Sequence, residues 1–148
     1  MAHVNPSDQV LKQLLTEATT IAMVGASSNP DKDSHGIMQK LQSVGYRVIP
    51  VNPKESEILG EQAYASLIDI PERVDIVDVF RRPEDTPAIA DDAVTIGAKA
   101  LWLQTGIVNE DAAARAEAGG LIVVMDQCIG ATHSLLRVGV KKHASTKQ

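Results

Sequence analysis

Five short apolar runs, each followed by a loop and a stretch with helical spacing, predict an α/β protein with a doubly wound parallel sheet. Two further observations support that class. Most of the runs are continuous in Val, Ile, Leu and Ala, as strands buried on both faces are, and glycines and prolines punctuate the elements. The 148 residues fit one domain of ordinary size, so the whole chain, 1–148, is read as a single unit with tails expected at 1–6 and 141–148.

Ser7 caps the first predicted helix, whose apolar face is Val10, Leu11, Leu14, Leu15 and Ala18. Thr20-Ile21-Ala22-Met23-Val24 is the first strand, stopped by Gly25. A helix from Ser34 to Val44 carries Ile37, Met38, Leu41 and Val44 on one side and ends at Gly45. Tyr46 to Val51 forms the second strand, followed by a weaker segment around Ala63 to Ile68. The third strand, Val74 to Phe80, alternates Asp75 and Asp78 with apolar residues and is expected to lie partly open on one face. Pro83 and Pro87 lead into a helix through Ile89, Ala93, Val94 and Ile96, closed by Gly97. Ala98 to Leu103 is the fourth strand. Asn109 caps an alanine-rich helix ended by Gly119-Gly120, and Leu121 to Met125 is the fifth strand, with one more short helix expected after it. With right-handed crossovers this is a Rossmann-like three-layer fold, with expected strand order 3-2-1-4-5.

Composition narrows the function. Hydrophobic residues are 44% and charged residues 22%, which suits a folded globular chain rather than a disordered one. Fourteen basic against 19 acidic residues leave a charge of -5, and aromatic residues are 3%, so phosphate-backbone attraction and base stacking are both weakly provided. No nucleic-acid partner is expected. The apolar runs fall far short of the roughly 20 residues that span a bilayer, the first residues lack a signal-peptide pattern, and one cysteine cannot form an internal disulfide. A cytoplasmic protein without a membrane partner is the expectation.

In open α/β sheets ligands bind outside the carboxyl ends of the strands, so the residues just after each strand carry the information. After the first strand stand Gly25, Ala26, Ser27 and Ser28, where loop amides and the start of the next helix, with Ser34 and His35, can hold a phosphate. The alternative is that Gly25 only turns the chain and that His35 caps a helix. The dinucleotide fingerprint is incomplete, because Ser27 and Pro30 replace its later glycines. After the second strand, Asn52, Pro53 and Lys54 offer an amide and an ammonium where NAD-binding proteins carry an acid. That suits a ribose bearing a phosphate, as in NADP or in the 3′-phosphoadenosine end of coenzyme A, unless Lys54 is a solvated surface lysine. Phe80 can wall an adenine or a pantetheine arm; Arg81 and Arg82 either reach phosphates or pair with Glu84 and Asp85. Gln104, in Trp102-Leu103-Gln104-Thr105-Gly106, can hydrogen-bond a ligand amide, and Cys128 follows the last strand on the same side. Cys128 and His133 lie five residues apart with no second cysteine or carboxylate in metal-site spacing, so no metal is expected.

Taken together, Gly25-Ala26-Ser27-Ser28, Val51-Asn52-Pro53-Lys54, Val79-Phe80-Arg81-Arg82-Pro83, Trp102 to Gly106 and Met125-Asp126-Gln127-Cys128 resemble the small CoA-binding protein family in order and spacing. That family is similar to the CoA-binding domain of the succinyl-CoA synthetase alpha subunit. The resemblance covers the chain from about Leu14 to Val140. It implies a Rossmann-like fold that binds coenzyme A or an acyl-CoA at the strand ends. Gly25, Ala26 and Ser27 would meet the phosphates or pantetheine, Asn52 and Lys54 the ribose phosphate, Phe80 with Arg81 the adenosine side, and Gln104 would border the site. The chain departs from the family after Cys128, where the family carries a proline and an acidic residue and this sequence has Ile129-Gly130-Ala131-Thr132-His133.

The synthetases that share this domain use a phosphorylated histidine and an ATP-grasp module, which 148 residues cannot contain. No nucleophile with a placed base emerges from the sequence. The first expectation is therefore a CoA-binding sensor, carrier or partner subunit without its own catalysis. A small NADP-dependent oxidoreductase, and a non-binding interaction module with Trp102 at a subunit interface, stay open beside it. A homodimer through an edge strand and an unknown protein partner are compatible with all three.

Overall fold

The computed structural model describes residues 2–141. Helix α1 (Asp8–Glu17) starts where the Ser7 hydroxyl accepts from the Val10 amide at 3.3 Å, and it buries Leu11, Leu14 and Leu15. Strand β1 (Thr20–Val24) leads through a polar loop to α2 (Asp33–Ser43), then β2 (Arg47–Val51). A short antiparallel pair, β3 (Glu57–Ile58) and β4 (Glu61–Gln62), turns through Leu59 and Gly60, both at positive φ. After a 3-10 turn at Leu67–Asp69 come β5 (Ile76–Val79) and α3 (Thr86–Thr95), then β6 (Ala100–Leu103). Asn109 caps α4 (Glu110–Ala118) by accepting from the Ala112 amide at 2.9 Å, and β7 (Ile122–Val124) and α5 (Ile129–Leu135) complete the order.

The five longer strands form a parallel sheet in the order β2-β1-β5-β6-β7, with Val24 in register with both Val51 and Val79. Apolar side chains alternate to its two faces. Ala22, Val24, Val77, Val79, Leu101 and Leu103 pack with the alanines of α3 and α4, while Ile21, Met23, Ile76 and Trp102 pack with α1, α2 and α5. Small alanines let α3 and α4 lie close to the sheet and to each other. The three-layer Rossmann-like class holds.

The strand order differs from the expected one. The third of the predicted strands, β5, lies beside β1 rather than outside β2, giving 2-1-3-4-5 in the predicted numbering. The outer edge of β2 is instead met by the segment that follows β4, through a single parallel bridge between Val51 and Tyr64. That weak segment occupies the place expected for the third strand, and β5 lies on the other side of β1, between β1 and β6. A second correction concerns exposure: β5 is buried on every residue, with Asp78 at 0% exposure. A central strand has no open face. The polar residues in and just before it are accommodated by partners, since Asp75 accepts from the Thr19 and Thr20 amides at 2.9 and 3.1 Å and Asp78 accepts from Gln104.

The segments expected as tails carry defined contacts where they are described. Asn5 donates to the Met125 carbonyl at 2.8 Å and accepts from the Met125 amide at 2.9 Å, tying the N-terminal segment to the end of β7. Lys141 reaches the Thr16 carbonyl at 2.6 Å and sits 4.9 Å from the Tyr46 ring centre. Residues 142–148 lie outside the described residues. No described helix is long and apolar enough to cross a membrane.

Candidate functional site

The winding reverses between β1 and β5, so the carboxyl ends of these neighbours, Val24-Gly25 and Val79-Phe80, mark the switch point where α/β sheets open a crevice. A cavity lies on each side of it. The smaller, about 260 Å³, has Val24, Val51, Leu67 and Ile89 as apolar walls and Gly25, Asn52, Pro53, Arg81, Asp85 and Asp92 around them. The larger, about 480 Å³, runs between the loop before α2 and the start of α5, and is bounded by Ile37, Phe80, Gln104, Ile107 and Cys128. Apolar walls with a few fixed polar groups are the usual make-up of a small-molecule site.

Gly25 has φ of +89°, and a Cβ built on it would stand 2.3 Å from the Phe80 carbonyl oxygen. Its first role is thus to let the β1 and β5 ends approach, a contact that neither the phosphate reading nor the turn-only reading contained. Asn52 ties the first two loops together: its Nδ2 donates to the Ala26 carbonyl at 2.8 Å and its Oδ1 accepts from the Lys54 amide at 2.8 Å. Ala26 is buried, and the Ser27 hydroxyl accepts from the Asn29 amide at 3.0 Å. Ser28 gives both its amide, at 3.1 Å, and its hydroxyl, at 2.6 Å, to the Glu55 carboxylate. Those two donors hold the Glu55 carboxyl below the ordinary glutamate range. The loop can therefore grip an anion, and a side-chain carboxylate already sits on it.

Arg81 lines the smaller cavity and contacts Asp85 at 3.1 Å; Arg82 is more exposed and lies 3.3 Å from Asp85 and 3.9 Å from Glu84. Arg82, followed by Arg81, holds the Asp85 carboxyl low. The pairing reading of the arginines is what the structure displays, although Arg81 also faces the cavity. Burial, with Asp91 nearby, pushes Asp92 up. Lys54 is exposed beside Pro53, Ser34 is buried in the first turn of α2, and His35 is half-buried next to it. Gly106, at φ +82°, donates its amide to Asp126 at 2.7 Å and shapes the loop rather than the cavities. Trp102 is fully buried and donates to the Gln127 carbonyl at 2.8 Å, which removes it as an interface marker.

Gln104 is 3% exposed and lines the larger cavity, with Nε2 on Asp78 and Oε1 3.4 Å from the Ile129 amide. Burial pushes the Asp78 carboxyl up to about 8 against the opposing pull of Gln104. His133 is buried edge-on to Tyr46, with ring centres 5.8 Å apart, and burial followed by Lys40 and Lys141 lowers its pKa. Sequence reasoning missed Asp78, Glu55 and Asp92. The first carried a usable signal, a carboxylate inside an otherwise apolar strand.

A Rossmann-like α/β chain with a crevice at the switch point of its sheet falls in a fold class whose ligands bind at that place. Residues 19–134 match the CoA binding domain family, and the chain belongs to that family. The resemblance expected from the five strand-end motifs therefore holds. The chain is 41% identical over 133 residues to the uncharacterized protein YneT of Bacillus subtilis, covering 90% of this chain and 98% of YneT. A hypothetical protein from Pyrococcus horikoshii superposes with a TM-score of 0.87 at 37% identity, covering 93% of this chain and 99% of that one. An ADP-forming acetate–CoA ligase of Archaeoglobus fulgidus is 28% identical over 120 residues, which are 74% of this chain but 18% of the ligase. The chain thus spans less than a fifth of that enzyme's length.

Proposed function

We propose that this protein binds coenzyme A or an acyl-CoA across the two cavities, without catalysis of its own, as a sensor, carrier or partner subunit. The observation that carries the reading is the pair of apolar-walled cavities on either side of the Gly25–Phe80 contact, with the Ser27-Ser28 loop beside it. The adenosine end fits the smaller cavity, where Asn52, Pro53 and Arg81 stand at the rim and Lys54 is adjacent for the 3′-phosphate. The pantetheine arm fits the larger one, which ends near Cys128. Family membership and the acetate–CoA ligase relative support the ligand class.

Two of the histidines are held by contacts away from the cavities. His133 is buried against Tyr46, and His3 is engaged with Glu117 at 2.9 Å and Asn5 at 2.9 Å. Neither faces a cavity wall. Calorimetric titration of ligand-free protein with CoA, dephospho-CoA and NADP tests the proposal. CoA binding with weaker dephospho-CoA and silent NADP is the expected result. Binding of NADP alone would move the function to an oxidoreductase, and silence from all three would leave an interaction module.

A further inference from the structure

Asp78 lies in the middle strand of the sheet with no exposed surface, flanked in register by Met23 of β1 and Trp102 of β6. Its Oδ1 accepts from Gln104 Nε2, whereas Oδ2 is buried without a hydrogen-bond partner among the described residues. A half-satisfied carboxyl in a core costs stability, so its presence asks for a reason beyond packing. Gln104 supplies one. Its other end, Oε1, accepts from the Ile129 amide at the start of α5, and the same side chain forms part of the larger cavity wall.

A primary amide turned by half a rotation keeps its shape and exchanges its donor for its acceptor. The donor at Ile129 in either protonation state, and the acceptor at Asp78 most firmly once it is ionised, select one orientation for Gln104: reversed, its NH2 would face the Ile129 N–H and leave two donors opposed. One Nε2 hydrogen and one Oε1 lone pair are then left unused by these two contacts, in a fixed arrangement, on a side chain that forms part of the cavity wall.

We propose that Asp78 is a positioning residue of the ligand site, holding Gln104 so that its free donor and acceptor read the amide groups of the ligand arm in the larger cavity. This rests on the function proposed above, whose ligand carries two amides in its pantetheine arm. The carboxyl's environment fits a role tied to protonation, since burial raises it and Gln104 lowers it, with no charged side chain among those influences. Met23 and Trp102, which flank it on the neighbouring strands, carry no ionisable group.

The test is calorimetric titration of CoA against the unsubstituted protein, Asp78→Asn, Asp78→Val, Gln104→Leu and the Asp78→Val/Gln104→Leu pair, each first checked for a native unfolding transition. Asp78→Asn keeps an acceptor and serves if Asp78→Val does not fold. Asp78→Val should weaken CoA about 10-fold, and the double variant should be no weaker than Gln104→Leu, because both act through one contact. In the unsubstituted protein affinity should tighten several-fold as Asp78 ionises and its hold on Gln104 strengthens, a dependence that Asp78→Asn should lack. NMR of the ligand-free protein should show the Gln104 side-chain amide moving with the Asp78 carboxyl carbon along one titration curve. Additive losses in the double variant, the same pH dependence in Asp78→Asn, or a Gln104 amide indifferent to Asp78 would each overturn the positioning role while leaving CoA binding intact. No CoA binding by the unsubstituted protein would overturn the proposed function and this role with it.

Discussion

The α-carbon of Gly25 approaches the Phe80 carbonyl so closely that an added methyl would stand 2.3 Å from the oxygen and 2.9 Å from the carbon. Both contacts are backbone and cannot swing aside, and φ of +89° disfavours any side chain. Gly25→Ala should therefore lower stability by roughly 3 kcal/mol in urea unfolding, as backbone strain and a core clash do together. A variant of native stability that merely fails to bind ligand would show that the glycine serves the ligand alone.

Lys54 is exposed beside the smaller cavity, where a 3′-phosphate would meet it. Lys54→Ala should weaken CoA by about 1 to 2 kcal/mol, the value of a charge-assisted contact, and leave dephospho-CoA nearly unchanged. Equal losses for both ligands, measured by calorimetry, would remove Lys54 from the site.

Cys128 lines the larger cavity and is half-buried. With diamide as oxidant, its thiol and the CoA thiol should each give up a hydrogen to form one mixed disulfide. Intact mass should then show a CoA-sized adduct that Cys128→Ser abolishes. An adduct surviving in that variant, or none at all, counts against the thiol arm ending there.

The raised Asp78 carboxyl has a clear sign in stability. In the unfolded chain it ionises near its ordinary value of about 4. In the folded protein burial holds its proton up to about 8. The folded state then binds more protons than the unfolded state between these values, so this group's contribution is fully present below about pH 4, declines as pH rises, and is gone above about pH 8. Urea unfolding across that window should show Asp78→Asn flattening the decline. A variant that follows the slope of the unsubstituted protein would mean that Asp78 ionises normally.

Local signals were legible because their causes are local. Ser7 and Asn109 cap their helices as expected, since an Ncap oxygen needs only the amide three residues on. The strand-end motifs also led to the right family, because strand ends converge in this fold whichever strand stands next to which. The alternation in Val74 to Phe80 misled, for Asp75 and Asp78 are buried with partners more than 20 residues away in sequence: Thr19 and Thr20 for the one, Gln104 for the other. The grip of Glu55 on Ser28 spans two loops and left no mark in either one alone.

The amino-acid order by itself determined the alternation of strands and helices, the parallel sheet class, the apolar faces and the residues at the strand ends, because periodicity and capping are read within one or two turns of chain. Only the tertiary structure decided that β5 lies against β1 while Tyr64 takes the outer edge of β2. It alone also decided that Gly25 serves Phe80 and that a buried carboxyl holds Gln104. Strand neighbours are chosen by how two helical layers and their crossovers can cover both faces of the sheet at once, a property of the whole assembly that no single segment carries.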